Sequence, residues 1–437
     1  MRSFRGLRFP IGMALFLAAF GASAQAPLLS PRLKALAAEI CRDEPGALDR
    51  FWDEVSARGT PLEEPVEGDP SHVWVTFLYR GGDEIRNVVV FVDRGLWGDI
   101  DSLRMEKLKG SDVWHRTFRM RRDARFTYEL GVNDPLTPVR GIRSASEWVT
   151  RSSSWRPDPL NPKRFPRYPR PLSVVELSGA PPQPWNDPKP GVPRGRLRTH
   201  KIKSAILANE RTVWIYTPAG CESSVVHYGV LILFDGGAYQ SWIPTPTILD
   251  NLAAAGRIPL LIAALVAPSG PPARDAELAC SDDFTRFLAE ELVPWIRQTY
   301  HAAADPALVI VGGSSFGGLA AAHAAFRHPE IFGNVLSQSA PFMFSPLQDK
   351  AEPGWLIAKF AESPRSKVRF HLDVGLMEVD PGAGPGRDTL TSNRLFRDAL
   401  QVKGYWVHSQ EFNGGHDYLN WRGTLADGLI ALLGDRT

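Results

Sequence analysis

Ser315 stands between two glycines in Gly313-Ser314-Ser315-Phe316-Gly317, after the β-branched run Val309-Ile310-Val311 and before the Ala-rich segment Leu319 to Phe326. A serine on a tight strand-to-helix turn lifts its hydroxyl out of a sheet towards the first amides of the next helix, an arrangement suited to acyl transfer. Gly313 and Gly317 are expected to be glycine because a Cβ there would meet the adjacent strand or helix. The hydroxyl needs a base. His323, His328, His371, His408 and His416 lie downstream. The first two fall on or at the end of the helix after the turn, and His371 and His408 fall in strands. His416 sits in Asn413-Gly414-Gly415-His416-Asp417, a loop after the last strand, and is the expected base. A carboxylate must orient its ring. Asp373, Glu378 and Asp380 are the candidates; Glu378, in the loop beyond Gly375, is preferred and Asp380 stays open. Asp417 adjoins His416 in sequence and is poorly placed to reach the same ring. Two amides must meet the developing oxyanion: the N–H of Phe316 and that of Gly237, in Asp235-Gly236-Gly237 after the run Val230 to Phe234.

The elements that hold these residues follow from hydrophobic periodicity. After Lys201, apolar runs predict strands at 212–217, 230–234, 260–266, 308–311, 335–337, 368–374 and 406–411. Helical patterns at 282–300, 319–326, 391–404 and 424–433 alternate with them. This predicts an α/β-hydrolase: a mostly parallel sheet with helices on both faces. Its site residues run in chain order serine, acid, histidine.

Upstream, residues 27–60 read as helical, and short alternating segments at 73–79, 88–92, 114–120 and 125–130 predict a small antiparallel sandwich of immunoglobulin-like kind. Prolines crowd 156–199, so 158–200 is expected to be a stiff connector without regular elements, wrapping the second domain through Val174, Val175, Leu177 and Trp185. The expected organisation is a signal peptide at 1–24, a helical segment plus sandwich at 25–157, the connector, and a catalytic domain at 201–437.

At 437 residues the chain is long enough for two domains, and its net charge of +2 leaves no nucleic-acid footprint. Basic clusters at Arg119 to Arg125 and Lys163 to Arg170 read as solvated edges or as attraction for an anionic ligand. The basic start Met1 to Arg8, the apolar stretch Ile11 to Phe20 and Ala22-Ser23-Ala24 form an export signal, so a periplasmic protein is expected, with no membrane span once the signal is removed. Of the three cysteines, Cys221 and Cys280 could pair and leave Cys41 over; their spacing fits no zinc pattern, and no metal or cofactor is expected.

With these residues in place, the chain resembles the enterochelin (enterobactin) esterase family. The catalytic half carries the likeness in Leu233-Phe234-Asp235-Gly236, Arg274-Asp275-Ala276-Glu277-Leu278, Gly313 to Gly318, Asn393-Arg394 and Gly414-Gly415-His416-Asp417 with Trp421-Arg422. The first half carries it in Phe51-Trp52, Gly59-Thr60-Pro61-Leu62, Val75 to Arg80, Asp112 to Arg116 and Asn133-Asp134-Pro135-Leu136. The resemblance implies hydrolysis of the triserine lactone of a ferric or iron-free catecholate siderophore, with iron present only as part of the substrate. It implies Ser315 as nucleophile and His416 as base. An anionic, aromatic substrate suits guanidinium groups, so Arg274 and Arg394 are expected contacts, with Trp421 lining the pocket. Full-length members are usually cytoplasmic, and the export signal departs from that. A feruloyl or acetyl esterase acting on polysaccharide and a non-catalytic siderophore binder are the competing readings.

Overall fold

A computed structural model describes residues 28–92, 100–137, 145–221, 228–346, 354–380 and 386–434. The expected signal peptide at 1–24 lies outside the described residues.

Eight strands form the central sheet of the second half. Their spatial order is Arg196–Ser204, Asn209–Thr217, Leu261–Val266, Gly229–Phe234, Val309–Ser314, Asn334–Gln338, Arg369–Gly375 and Trp406–Phe412. The first two pairings are antiparallel and the rest parallel, which is the strand order of an α/β-hydrolase. The central strands are apolar on both faces because helices cover both. Val230, Ile232 and Phe234 point to one side, against helices Phe316–Arg327, Trp355–Glu362 and Thr389–Val402. Leu231 and Leu233 point to the other, against Thr245–Ala254 and Tyr418–Leu433. Helix Phe316–Arg327 is nearly all small on its buried side, so its axis comes close to the sheet. The run 282–300 is helical throughout, with a wider π turn at Phe287–Leu292.

In the first half, helices Pro31–Cys41 and Ala47–Arg58 precede two antiparallel sheets. One orders Leu62–Val66, Asp69–Arg80, Val113–Arg121 and Glu106–Lys107; the other orders Val88–Val92, Arg125–Val132, Leu172–Glu176 and Arg164–Phe165, with Trp155–Arg156 also on Arg125–Val132. Val75 and Phe77 of the first sheet share a core with Val90, Phe126, Tyr128 and Val175 of the second.

The proline-rich stretch differs from expectation. Leu172–Glu176 is a sheet strand paired with Arg125–Tyr128, and Arg164–Phe165 pairs with its start. Pro166, Pro169 and Pro171 fall between these two strands, where no ladder donor is required. Arg196–Ser204 begins before residue 201 and is a charged edge strand, so it carries no apolar run to betray it. No disulfide joins Cys221 and Cys280; both are thiols, and burial pushes the Cys280 thiol up to about 12. Among the described residues no helix is long and apolar enough to cross a membrane.

Candidate active site

Four strand ends converge at the carboxyl edge of the parallel sheet, where ligands of α/β folds bind. Phe234 leads into Asp235, Ser314 into Ser315, Gly375 towards Glu378, and Phe412 towards His416.

Ser315 holds φ 56° and ψ −129°, a backbone state rare for a side-chain-bearing residue. Its N–H donates to Gln338 O at 2.8 Å, which ties the turn to the next strand. Gly317 departs from the steric expectation. A Cβ on Gly313 would sit 2.9 Å from Gly317 Cα, and one on Gly318 would sit 2.6 Å from Ser337 Oγ, but one on Gly317 would meet Phe234 Cβ at an ordinary 3.6 Å. Gly313 and Gly318 are therefore the sterically required pair.

His416 Nδ1 lies 2.6 Å from Glu378 Oε2. Glu378 is buried, and its other oxygen accepts from Ser339 Oγ at 2.5 Å and from the Gly375 N–H at 2.8 Å. Trp421 Nε1–H donates to Ser339 Oγ at 2.9 Å, so the serine hydroxyl must send its own hydrogen to the carboxylate. Of the three candidate acids, Glu378 is the one hydrogen-bonded to His416. Asp373 is wholly buried between strands, 3.4 Å from His371 Nε2, and burial pushes its carboxyl up. Asp380 is half-buried two residues past Glu378.

Phe316 and Gly237 each occupy the first turn of a helix, where backbone N–H groups have no intrahelical acceptor. Asp235 precedes Gly236 and Gly237 with φ 54°, and Arg274 grips it through Nε and Nη2, both at 2.6 Å. Burial works against the Arg274 charge, and the Asp235 carboxylate outweighs it, so the guanidinium lies above its ordinary range. Arg274 borders the cavity, and the ion pair holds the Asp-Gly-Gly turn. Glu277, three residues further along the same helix, pairs with the buried Arg211 at 2.7 Å.

Ser315, His416 and Arg274 line one cavity of about 310 Å³. Its far wall comes from the first half of the chain: Phe91, Tyr128, Trp155, Phe165 and Arg167. Trp242 and Tyr418 add rings from the catalytic half, and burial, reinforced by Asp235, pushes the Tyr418 phenol up to about 12. Phe165 falls in the stretch expected to be connector at 158–200 and Trp155 carries no local signal of its place in the wall, whereas Arg167 belongs to the Lys163 to Arg170 cluster, for which attraction of an anionic ligand is one of the two sequence readings. Most of the basic clusters are spent on acids: Arg119 on Asp69, Arg121 on Asp123, Arg125 and Lys163 on Glu176, and Arg170 on Glu129. Arg167 faces the cavity and makes no hydrogen bond or ion pair among the described residues.

Arg394 and Trp421 are placed differently from each other. Arg394 is absent from the cavity wall; it lies on helix Thr389–Val402, forked onto Glu411 with both bonds at 2.7 Å. Trp421 borders the cavity but is only 2% exposed; its N–H is committed to Ser339, and its ring stands edge-on to His416 at a centroid distance of 4.8 Å. Trp421 thus packs on His416 and, through Ser339, is linked to Glu378.

Fold and site together define a hydrolase of the α/β class with a serine at its strand-to-helix turn. The Esterase family model matches residues 204–432, and the model for the amino-terminal part of enterochelin esterases matches residues 74–186. The iron(III) enterobactin esterase of Dickeya dadantii is 30% identical over 420 residues, covering 88% of this chain and 93% of that protein. The iron(III) salmochelin esterase of Escherichia coli O6:H1 is 28% identical over 401 residues, covering 89% and 94%. The crystal structure of the enterobactin esterase of Shigella flexneri in the presence of enterobactin superposes with a TM-score of 0.69 at 26% identity, covering 88% of this chain and 97% of that one. The ferric enterobactin esterase of Salmonella typhimurium gives a TM-score of 0.72 at 25% identity, covering 87% and 98%. The chain belongs to the enterobactin esterase family, and it is an esterase.

Proposed function

We propose that this esterase opens the ester bonds of the triserine lactone in enterobactin or a related catecholate siderophore, with iron present as part of the substrate. Ser315 Oγ attacks the ester carbonyl, and His416 Nε2 takes its proton. Glu378 holds Nδ1–H, so the lone pair on Nε2 faces the serine, and the carboxylate steadies the imidazolium that forms. The N–H groups of Phe316 and Gly237 receive the oxyanion. His416 then gives the proton to the substrate's departing serine oxygen as its C–O bond breaks, releasing it as a hydroxyl, and a water activated by the same imidazole hydrolyses the acyl-enzyme to free Ser315 and a carboxylic acid.

The observation that carries this reading is the composite cavity: Ser315 and His416 on one side, and a ring-lined wall with the uncommitted Arg167 on the other. Catecholates are flat and anionic, and rings with a guanidinium suit them by stacking and charge. The match of the amino-terminal half to enterochelin esterases favours this substrate over a feruloylated sugar. We read that half as an immunoglobulin-like sandwich, supported by its two antiparallel sheets around one apolar core. We also place the enzyme in the periplasm, on the strength of the export signal in residues 1–24.

Incubation with ferric and iron-free enterobactin, a feruloylated sugar and an acetylated sugar, followed by mass spectrometry of the products, tests the substrate. The expected result is linear trimer, dimer and monomer of dihydroxybenzoyl-serine from the wild type and none from Ser315→Ala. Turnover of the feruloylated sugar alone would overturn the assignment.

A further inference from the structure

The loop that carries His416 is built into the sheet of the other half of the chain. Strand Arg125–Val132 is paired on one side with Val88–Val92, but that pairing ends at Val92 opposite Tyr128. Residues 125–127 thus present an open edge with outward-facing backbone groups, which need partners when buried. The His416 loop supplies them. Arg125 N–H donates to Asn413 O at 2.9 Å, and Arg125 O accepts from Asn420 Nδ2 at 3.0 Å. Thr127 N–H and Thr127 Oγ1 both donate to Asp417 Oδ2, at 3.1 and 3.3 Å. The approach is close enough that a Cβ on Gly414 would lie 2.5 Å from Arg125 O, so the glycine there is required by the contact with the other half.

Asp417 works in two directions. Its Oδ1 accepts from Asn420 N–H at 2.9 Å and caps helix Tyr418–Leu433, while Oδ2 reaches across to Thr127. Thr127 and Asp417 are 4% and 7% exposed, so water does not compete for these bonds. Thr127 also borders the cavity, which places the wall that receives substrate and the clamp on the base on one strand.

We propose that Asp417 is a positioning residue: by docking on the Arg125–Thr127 edge it fixes the loop that aims His416, so the amino-terminal β-unit sets the rate of the chemical step as well as shaping the pocket. The inference rests on His416 as the base.

Two variants of the full chain test it, assayed with a short p-nitrophenyl ester that needs little of the far wall. Asp417→Asn keeps the size but turns an amide N–H₂ towards one set of its donors. Asp417→Ser remains a good helix cap and is too short to reach Thr127. Misaiming a base by about 1 Å costs on the order of 100-fold, so both variants are expected to lose about 10- to 100-fold in kcat, with KM within about twofold. Per folded enzyme, judged by urea titration, the loss should persist. A purely structural role would lower the unfolding midpoint and leave kcat per folded molecule unchanged, and that result overturns the proposal; so does a loss confined to KM. His416→Gln separates this from the function itself. If that variant is inactive while Asp417→Ser keeps wild-type kcat, the positioning role falls and the base stands; if His416→Gln stays active, both fall.

Discussion

Replacing Glu378 by glutamine should be far more damaging than its single lost charge suggests. Oε1 of Glu378 accepts two hydrogen bonds, from Ser339 Oγ and Gly375 N–H, while Oε2 accepts one from His416 Nδ1. Glutamine has one acceptor oxygen. Placing it at the Oε1 position keeps two buried bonds and leaves its N–H₂ facing His416. The opposite orientation sets that N–H₂ against a backbone donor that cannot move, a buried mismatch of about 1–3 kcal/mol. The first orientation therefore wins. It obliges Nδ1 to accept, moves the imidazole proton to Nε2, and removes the lone pair that should take the Ser315 proton. Wrong-tautomer variants of this kind in a serine–histidine–aspartate enzyme lose about 10⁴-fold in kcat, or about 5.4 kcal/mol of barrier. Steady-state kinetics on a chromogenic ester from pH 6 to 9, with circular dichroism to verify folding, measures it. Asp380→Asn is the comparison and should stay within about threefold. A folded Glu378→Gln retaining more than a tenth of wild-type kcat would refute the reasoning and leave a serine–histidine pair.

Three further outcomes follow from the same geometry. Arg167→Glu should raise KM for a ferric catecholate by about tenfold, equivalent to about 1.4 kcal/mol, with a much smaller rise for a neutral ester and a gap that narrows in high salt; equal effects on both substrates would remove Arg167 as the charge-reading group. Trp421→Phe keeps the ring against His416 but leaves Ser339 Oγ without its donor, and about 1 kcal/mol of lost hydrogen bonding should appear as a several-fold drop in kcat with KM unchanged. Stability should depend on two histidines outside the site: burial holds His115 and His323 near 4, so each stays neutral in the fold and takes up a proton on unfolding below its ordinary 6.5. Their contribution is complete above about pH 6.5 and is lost as pH falls towards 4, by about 3 kcal/mol each at most. Urea midpoints at pH 7 and 4.5 should show the fall, and His115→Gln with His323→Gln should flatten it.

The catalytic half was legible where its signals are local. The turn at Ser315 needs glycines and a β-branched strand within ten residues, and the parallel strands are apolar on both faces, so each stood out by itself. Glu378 and His416 could be placed because each follows a strand end. What escaped depends on partners far away in sequence. Leu172–Glu176 is a strand only because Arg125–Tyr128 lies beside it, and its flanking prolines argued the other way. Arg196–Ser204 alternates charge at a solvent edge, which looks like loop until its neighbour is known. Arg274 and Arg394 are two loosely similar arginines in sequence; a carboxylate at 235 and one at 411 decide that the first borders the cavity and the second does not. Trp421 carries no mark that its N–H is committed to a serine 82 positions upstream. The aromatic wall was invisible for the same reason: its members are spread over 91–167 and meet only because Val88–Val92, Arg125–Val132, Trp155–Arg156 and Arg164–Phe165 join one sheet.

The central claim is that Ser315, activated by His416, forms the acyl-enzyme. Covalent labelling with a fluorophosphonate, followed by peptide mass spectrometry, tests it most directly. A single adduct is expected on the peptide containing Ser315, slowed by enterobactin in the cavity, slowed at least about 100-fold in His416→Gln, and absent in Ser315→Ala together with all ester turnover. An adduct on another residue, or hydrolysis that survives Ser315→Ala, would contradict it.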